Sequence, residues 1–369
     1  MVLSGKMEKK EFLPEVKKGI DVKKILVIRF SSIGDIVLTT PVVRALKAGF
    51  GGLELHYLTK SQNARLLQNN KYIDCIHLLD KRLYKTISEL RKEGFDYIVD
   101  LQKNFRSCRI RLSLGVPSAA FPKLNFRKWL LVNFKLDLMP DVHIVDRYFK
   151  AVEKLGVCND GKGLDYFLQE EDMVSPDSLH LNLQNGYVVC VVGSKHQTKQ
   201  MPVSLMKTLC TAIRKPIILM GGAEDREKAT EIEKSVGTKI FNACGVYDIN
   251  KGSEMCIRDR NKSAYLLKNS LGVISPDTGL MHIAAALDKN IIAVWGNTVP
   301  QFGMYPYRSD NCKGKTYNFE VEKLKCRPCS KLGYDKCPKT HFDCMKKQHV
   351  SQIAAIANAW SDEENQQTE

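Results

Sequence analysis

The stretch Lys24-Ile-Leu-Val-Ile-Arg-Phe-Ser-Ser-Ile-Gly-Asp-Ile-Val-Leu-Thr-Thr-Pro-Val-Val-Arg-Ala-Leu-Lys47 decides the fold. Its run from Ile25 to Ile28 is short, apolar and β-branched, which suits a strand covered on both faces, as in a parallel sheet. Ser31, Ser32 and Gly34 then permit a sharp turn with backbone amides pointing outward, and the turn presents one carboxylate, Asp35. Thr40-Pro41 offers a cap and a first-turn proline for the helix that follows. In open α/β sheets such loops line the ligand crevice. Asp35 is therefore either an active-site carboxylate or a plain helix cap, and the local pattern leaves both readings open.

Outward from this stretch the same rhythm repeats. Strand-like runs at 24–30, 53–58 and 96–101 alternate with helical spacing at 41–48, 61–69 and 82–93, as in a parallel sheet with crossover helices. A second series follows, with strands at Tyr187–Gly193, Pro216–Met220, Gly272–Ser275 and Ile291–Trp295 and helices at 203–214, 224–236 and 279–287. The polar stretch 157–186, with Asn159-Asp160-Gly161 and Ser175-Pro176-Asp177, reads as the junction. The expected architecture is two Rossmann-like α/β domains facing one another across a cleft, 24–165 and 166–369, after a flexible leader over 1–23.

One segment breaks the pattern. Lys251-Gly-Ser-Glu-Met-Cys-Ile-Arg-Asp-Arg-Asn261 has neither period, and an Asn-Lys pair flanks it at 250–251 and 261–262. Without residues 251–261, Asp248-Ile249-Asn250 joins Lys262-Ser263-Ala264 as an ordinary entry into a helix. The segment resembles a translated sequencing adapter and reads as a foreign insert, a natural surface loop being the alternative.

The 369 residues are enough for two domains with complete cores, and 44% hydrophobic with 26% charged residues describes a globular protein. No run approaches a membrane span, and the N-terminus lacks the apolar centre of a secretory signal, so a cytoplasmic location is expected. A net charge of +15 favours anionic partners. Nucleic acid is not favoured, because no helix-turn-helix, RNP or finger signature accompanies the charge. Basic side chains concentrate at Lys103, Arg106, Arg109, Arg111, Lys123, Arg127 and Lys128, where a solvated basic face is the plain alternative to an anion site.

Three segments of the second half carry chemistry. Ile274-Ser-Pro-Asp-Thr-Gly-Leu-Met-His282 ends a strand and opens a helix with Asp277 at its N-cap. The free amides of Thr278 and Gly279, reinforced by the helix dipole, suit a diphosphate. His282 reads equally as a satisfied, half-buried histidine. Met220-Gly-Gly-Ala-Glu-Asp-Arg-Glu227 is a second strand-to-helix turn, where Glu224 can accept from ribose hydroxyls. Lys199 follows the first strand of this domain and can neutralise a phosphate, or is simply a surface lysine. No Gly-x-Gly-x-x-Gly fingerprint follows any strand.

Together these segments resemble glycosyltransferase family 9, the ADP-heptose:lipopolysaccharide heptosyltransferases, from about Lys23 to Trp360. The resemblance rests on Ser31-Ser32-Ile33-Gly34-Asp35 with Thr39-Thr40-Pro41, Asp100-Leu101 with Arg106-Ser107, Gly221-Gly222-Ala223-Glu224-Asp225, and Asp277-Thr278-Gly279 with Met281-His282. It implies a GT-B fold with acceptor on the N-terminal domain and nucleotide sugar on the C-terminal one, and an inverting transfer that needs no metal. It further implies Asp35 as catalytic base, Lys199 on phosphate, Glu224 on the nucleotide, Asp277 on the donor sugar, and Thr278, Gly279 and His282 around the diphosphate. Where many relatives place an aromatic after the lysine, this chain has Gln200-Met201. Lys103, Arg106 and Arg109 become candidates for acidic groups of the acceptor, since a guanidinium pairs well with carboxylate or phosphate. The expected partners are an ADP-sugar, a lipopolysaccharide core acceptor and the inner face of the inner membrane. A non-catalytic nucleotide-sugar-binding protein, or a family 9 enzyme with another donor, is the alternative.

Of 12 cysteines, Cys326, Cys329, Cys337 and Cys344 form a C-x₂-C-x₇-C-x₆-C cluster, with His341 and Cys312 nearby. Such spacing in a cytosolic chain suits a structural zinc or free buried thiols rather than disulfides.

Overall fold

A computed structural model describes residues 22–179, 181–183, 186–246 and 259–361. It contains two all-parallel sheets. The first joins β1 (Lys24–Ile28), β2 (Glu54–Thr59), β3 (Cys75–Leu78), β4 (Tyr97–Asp100) and β5 (Ser118–Ala120) in the order β3-β2-β1-β4-β5. The second joins β6 (Val188–Val191), β7 (Ile217–Met220), β8 (Ile240–Asn242), β9 (Gly272–Pro276), β10 (Asn290–Trp295) and β11 (Thr316–Glu320) in the order β11-β10-β9-β6-β7-β8. These are the two facing Rossmann-like domains of the GT-B arrangement. The central strands β1, β4, β6, β7, β9 and β10 are buried almost throughout, which explains their unbroken apolar runs.

β3, β5, β8 and β11 escape the sequence pattern. Each lies at or next to a sheet edge and is only partly buried, so no continuous apolar run marks it. The helical spacing at 61–69 resolves into a 3₁₀ turn, Ser61–Asn63, and a short helix, Arg65–Gln68. Thr40 is not the cap of its helix. The helix spans Thr40–Gly49 with Thr39 at the N-cap, and the Thr40 hydroxyl donates to Val37 O and accepts from Asp165 N.

Topology places the crevice. Strand order reverses between β1 and β4 in one sheet and between β6 and β9 in the other, and ligands bind outside the carboxyl ends of strands at such switch points. The loops after β1 and β4 therefore carry one wall of a cleft and those after β6 and β9 the other. One apolar cluster runs through both domains, containing Ile36 and Val37 on one side and Leu280 and Met281 on the other. The polar junction is tied down by Arg44, which pairs bidentately with Asp160 at 2.8 Å and also binds Asp165 and the Gly163 carbonyl. The C-terminal helix Val350–Ala359 packs its Ile353, Ala354 and Ala357 into the cluster holding Leu209 and Cys210 of helix Val203–Ala212.

Residues 1–21 of the expected 1–23 leader and residues 251–258 of the proposed insert lie outside the described residues, while Val22 is buried in the core. Residues 259–261 belong to the helix Asp259–Lys268, and the buried Asn261 accepts a 3.0 Å hydrogen bond from the Tyr166 hydroxyl. Because Asn-Lys stands on both sides, excising 250–260 leaves the same chain as excising 251–261, and it retains this asparagine at the helix start.

Candidate functional site

After β1 the chain makes a five-residue helix, Ile33–Val37, with Asp35 in its first turn. Asp35 Oδ2 accepts from the Ser32 amide at 3.0 Å and the Ser32 hydroxyl at 2.7 Å, so the capping reading holds for that oxygen. Oδ1 faces Arg29 Nη2 at 2.6 Å. Burial pushes the Asp35 carboxyl up, but Arg29, the two Ser32 hydrogen bonds and His282 outweigh it and hold it below the ordinary carboxylate range. Asp35 is thus ionised at neutral pH and able to take a proton. Arg29 is itself held by the carbonyls of Ser31 and Leu101, so the carboxylate rests on a rigid, buried support.

The opposite wall is built by β9 and the helix Gly279–Ala286. Thr278, not Asp277, occupies the N-cap of that helix. The Asp277 side chain turns away from the cap to meet Lys199 Nζ at 2.6 Å and the Thr298 hydroxyl at 3.0 Å. Burial raises the Asp277 carboxyl, and Lys199, His282 and Thr298 bring it below its ordinary value. Lys199 is presented by the 3₁₀ turn Gln197–Lys199 beyond β6, and the next residue, Gln200, is buried, bridging Ser194 O and Lys228 Nζ. Glu224 is exposed on the turn beyond β7, where Asp225 accepts from the Gly222 amide.

The walls meet at two glycines. A Cβ on Gly34 would lie 2.5 Å from His282 Cδ2, and one on Gly279 would lie 2.7 Å from Ile33 Cγ2. Only glycine lets the Asp35 turn and the donor-side helix come this close. His282, at this seam, is fully buried rather than half-buried, and its Nδ1 has no hydrogen-bond partner. Burial lowers its pKa, with the nearby Asp277 and Asp35 carboxylates pulling the other way, so the imidazole is neutral at physiological pH. A neutral ring within electrostatic reach of both carboxylates thus lies where the two walls meet.

Asp35, Lys199, Glu224, Asp277, Thr278, Gly279 and His282 all line one cavity of about 730 Å³ between the domains. Arg106 lies outside it, in an adjoining recess of about 310 Å³ that shares Ser31, Lys60 and Gln102 with the main cavity. Lys103 and Arg109 line neither space. Lys103 is exposed and its carbonyl accepts from Lys123 Nζ, while Arg109 covers the Phe105 ring at 5.9 Å. Asp100 is wholly buried and organises the loop between them, accepting from the amides of Gln102 and Lys103 and the Ser107 hydroxyl.

The sequence pattern did not single out Arg29, Tyr148 or Thr298, and it gave Lys128 only as one member of a basic concentration. Of the first three, only Arg29 left a signal, a charged residue directly after a fully apolar strand. Lys128 lies in the helix Asn125–Phe134, lines the cavity, and has its ammonium pushed down to about 8 by burial and by Arg147.

The cysteine loop does not gather a closed ligand set. Cys326 Sγ lies 3.8 Å from His341 Nε2, but among the described residues the group of three donor atoms within 4.8 Å of one another is His56, Cys75 and His77. That group is satisfied without an ion. His56 binds His77 and Glu54, each at 2.7 Å, and Lys24 supplies the cation, bridging Glu54 and Glu93.

Comparison with known proteins bears on the family and the fold. The model of the family described as glycosyltransferase family 9 (heptosyltransferase) matches residues 83–331, well over half of the chain. Lipopolysaccharide heptosyltransferase 1 of Campylobacter coli is 24% identical over 300 residues, 74% of this chain and 84% of that one. Among solved structures, a glycosyltransferase family 9 protein from Veillonella parvula has a TM-score of 0.70 at 19% identity, over 92% of this chain and 98% of its own. The ADP-heptose lipopolysaccharide heptosyltransferase II of Escherichia coli has 0.63 at 18%, over 90% and 99%. At these identities the structural likeness speaks for the fold.

Proposed function

This chain belongs to glycosyltransferase family 9 and is a glycosyltransferase, and from that premise we propose that it moves a heptose from ADP-heptose to an inner-core acceptor of lipopolysaccharide, with inversion and without a metal. One observation carries the reading. An ionised carboxylate, Asp35, stands on one wall of a cavity whose other wall holds Lys199, Asp277 and the open helix N-terminus at Thr278 and Gly279.

In this reading the acceptor hydroxyl enters from the N-terminal wall and hydrogen-bonds Asp35. The carboxylate takes the hydroxyl proton as the oxygen bonds to the anomeric carbon, a contribution on the order of 10²–10⁴ in rate. Attack from the face opposite the leaving group inverts the anomeric centre. The bond to the β-phosphate breaks, and the negative charge that develops there is met by Lys199 and the amides of Thr278 and Gly279, which replace the charge a divalent ion would bring. Asp277 and the neutral His282 contact the sugar and the diphosphate neighbourhood, and Glu224 the nucleotide. Packing of Gly34 on His282 excludes water and so limits hydrolysis of the donor. The acceptor is lipid-linked, which places the enzyme at the inner face of the cytoplasmic membrane. Among the described residues no helix is long and apolar enough to cross it.

The test is ADP release from ADP-L-glycero-D-manno-heptose in EDTA, with and without Kdo–lipid A or a heptosylated core, for the native chain and Asp35→Ala. Acceptor-dependent release that the variant loses supports the proposal. Binding of ADP without release would point to another donor sugar or to a binding role, and a rate restored only by Mg²⁺ would remove the metal-free mechanism.

A further inference from the structure

The helix Asn125–Phe134 has two unlike sides. Asn125 and Lys128 line the cavity and Leu131 is buried against Val299 and Phe302 of the other domain. The outward side carries Phe126, Trp129 and Phe134, respectively 70%, 50% and 65% exposed. Their rings touch one another, Phe126 stacking on Trp129 at 6.1 Å and Trp129 meeting Phe134 edge-on at 5.2 Å. Leu136, Leu138 and Val142, just beyond the helix, are exposed as well, as are Phe105 and Leu112 of the helix Phe105–Leu114. Isolated exposed apolar side chains are ordinary, but a contiguous aromatic cluster marks an interaction surface.

Charge identifies the partner. Between Lys103 and Leu138 the chain carries eight basic side chains and a single acidic one, Asp137. Arg127 is exposed next in sequence to Phe126, and Arg106 and Arg109 are exposed on the helix that carries Phe105. Aromatic and leucine side chains beside arginines suit the headgroup and acyl boundary of an anionic bilayer, where rings enter the boundary and guanidinium groups stay with phosphate.

We propose that the surface formed by Phe126, Trp129 and Phe134 with its arginine rim docks this enzyme onto an anionic lipid bilayer, setting the mouth of the interdomain cavity at headgroup level. Because Lys128 and Phe126 lie on opposite sides of one helix, docking the outer side fixes the height of the cavity above the membrane. A lipid-linked sugar could then reach Asp35 without its acyl chains leaving the bilayer. The inference deepens the proposed function, but its test is independent of transfer.

Of the three tryptophans, Trp295 and Trp360 are buried and Trp129 is exposed, so Trp129 reports on docking. The full chain is mixed with glycolipid-free vesicles of phosphatidylethanolamine and phosphatidylglycerol, and separately of phosphatidylcholine. Expected are a blue shift of tryptophan emission, quenching by brominated acyl chains, and co-sedimentation with the anionic vesicles that weakens with salt. Phe126→Ser with Phe134→Ser keeps the reporter and should lower partitioning by about tenfold or more per phenylalanine. ADP affinity and thermal midpoint should be unchanged, showing that the variant folds. Unshifted emission with anionic vesicles, equal partitioning of variant and native chain, or a native dimer that the double variant dissociates would each overturn the proposal. Vesicle binding without heptosyl transfer would instead count against the activity alone.

Discussion

Arg29 Nη2 lies 2.6 Å from Asp35 Oδ1, with the guanidinium almost entirely buried beneath the loop that β1 empties into. The pair sets the protonation state of the proposed base. Burial alone would raise the Asp35 carboxyl, and Arg29 is the largest influence that reverses it.

Arg29→Lys, or Arg29→Gln if the lysine variant retains the pair, should therefore let the Asp35 carboxyl rise. The base must be unprotonated to act, so the acid limb of kcat/KM is expected to move to higher pH, with activity at alkaline pH less affected. A pH profile of ADP release measures this. An acid limb that stays in place in a folded variant would mean that Asp35 is not the titrating base.

Lys199 pairs with Asp277 at 2.6 Å, so a donor diphosphate must share or take over that ammonium. Lys199→Gln keeps length and polarity but removes the charge. It should lower kcat by about 10²–10³ through lost leaving-group stabilisation, with a smaller effect on donor KM. Single-turnover kinetics separate the two effects, and a change confined to KM would reassign Lys199 to ground-state binding.

Gly279→Ala would place a methyl group 2.7 Å from Ile33 Cγ2 at the seam between the domains. Overpacking of this kind costs about 1–3 kcal/mol. The seam can relieve it by opening. The expected result is a larger radius of gyration in small-angle scattering and a fall in kcat, whereas an unchanged radius with full activity would show that the seam is not needed in catalysis.

Burial and Arg147 push the Lys128 ammonium down to about 8. Below that pH the ammonium is present in the cavity, and above it the charge is lost. For an anionic acceptor, kcat/KM should decline as pH rises through about 8, and Lys128→Gln should abolish that limb while lowering the plateau. Persistence of the limb in the variant would assign it to another group.

How much of this was legible in advance depended on locality. Asp35, Thr278 and Gly279 follow directly from strand, turn and helix in unbroken sequence, and their positions at strand ends made them readable. The same logic misplaced Asp277. Its carboxylate gains more from Lys199, 78 residues away, and from Thr298 than from the helix cap. Lys103 and Arg109 looked like acceptor ligands because they are basic and near Arg106. Their side chains leave the helix Phe105–Leu114 and its approach on the outside, and only Arg106 reaches a recess beside the cavity.

Sequence by itself determined the two parallel sheets, their central strands and the small-residue turns at the strand ends. These rest on burial of continuous apolar runs and on local backbone freedom, both of which act between near neighbours. Tertiary structure alone decided that Arg29 supports Asp35, that Lys199 reaches Asp277, that His282 is sealed against Gly34, and that one side of the helix Asn125–Phe134 enters the cavity while the other carries bare aromatic rings. Except for Arg29 and Asp35, which meet across a single turn, those relationships join segments separated by tens to hundreds of residues, and the energies of all of them depend on distance and burial in space, which no periodicity along the chain records.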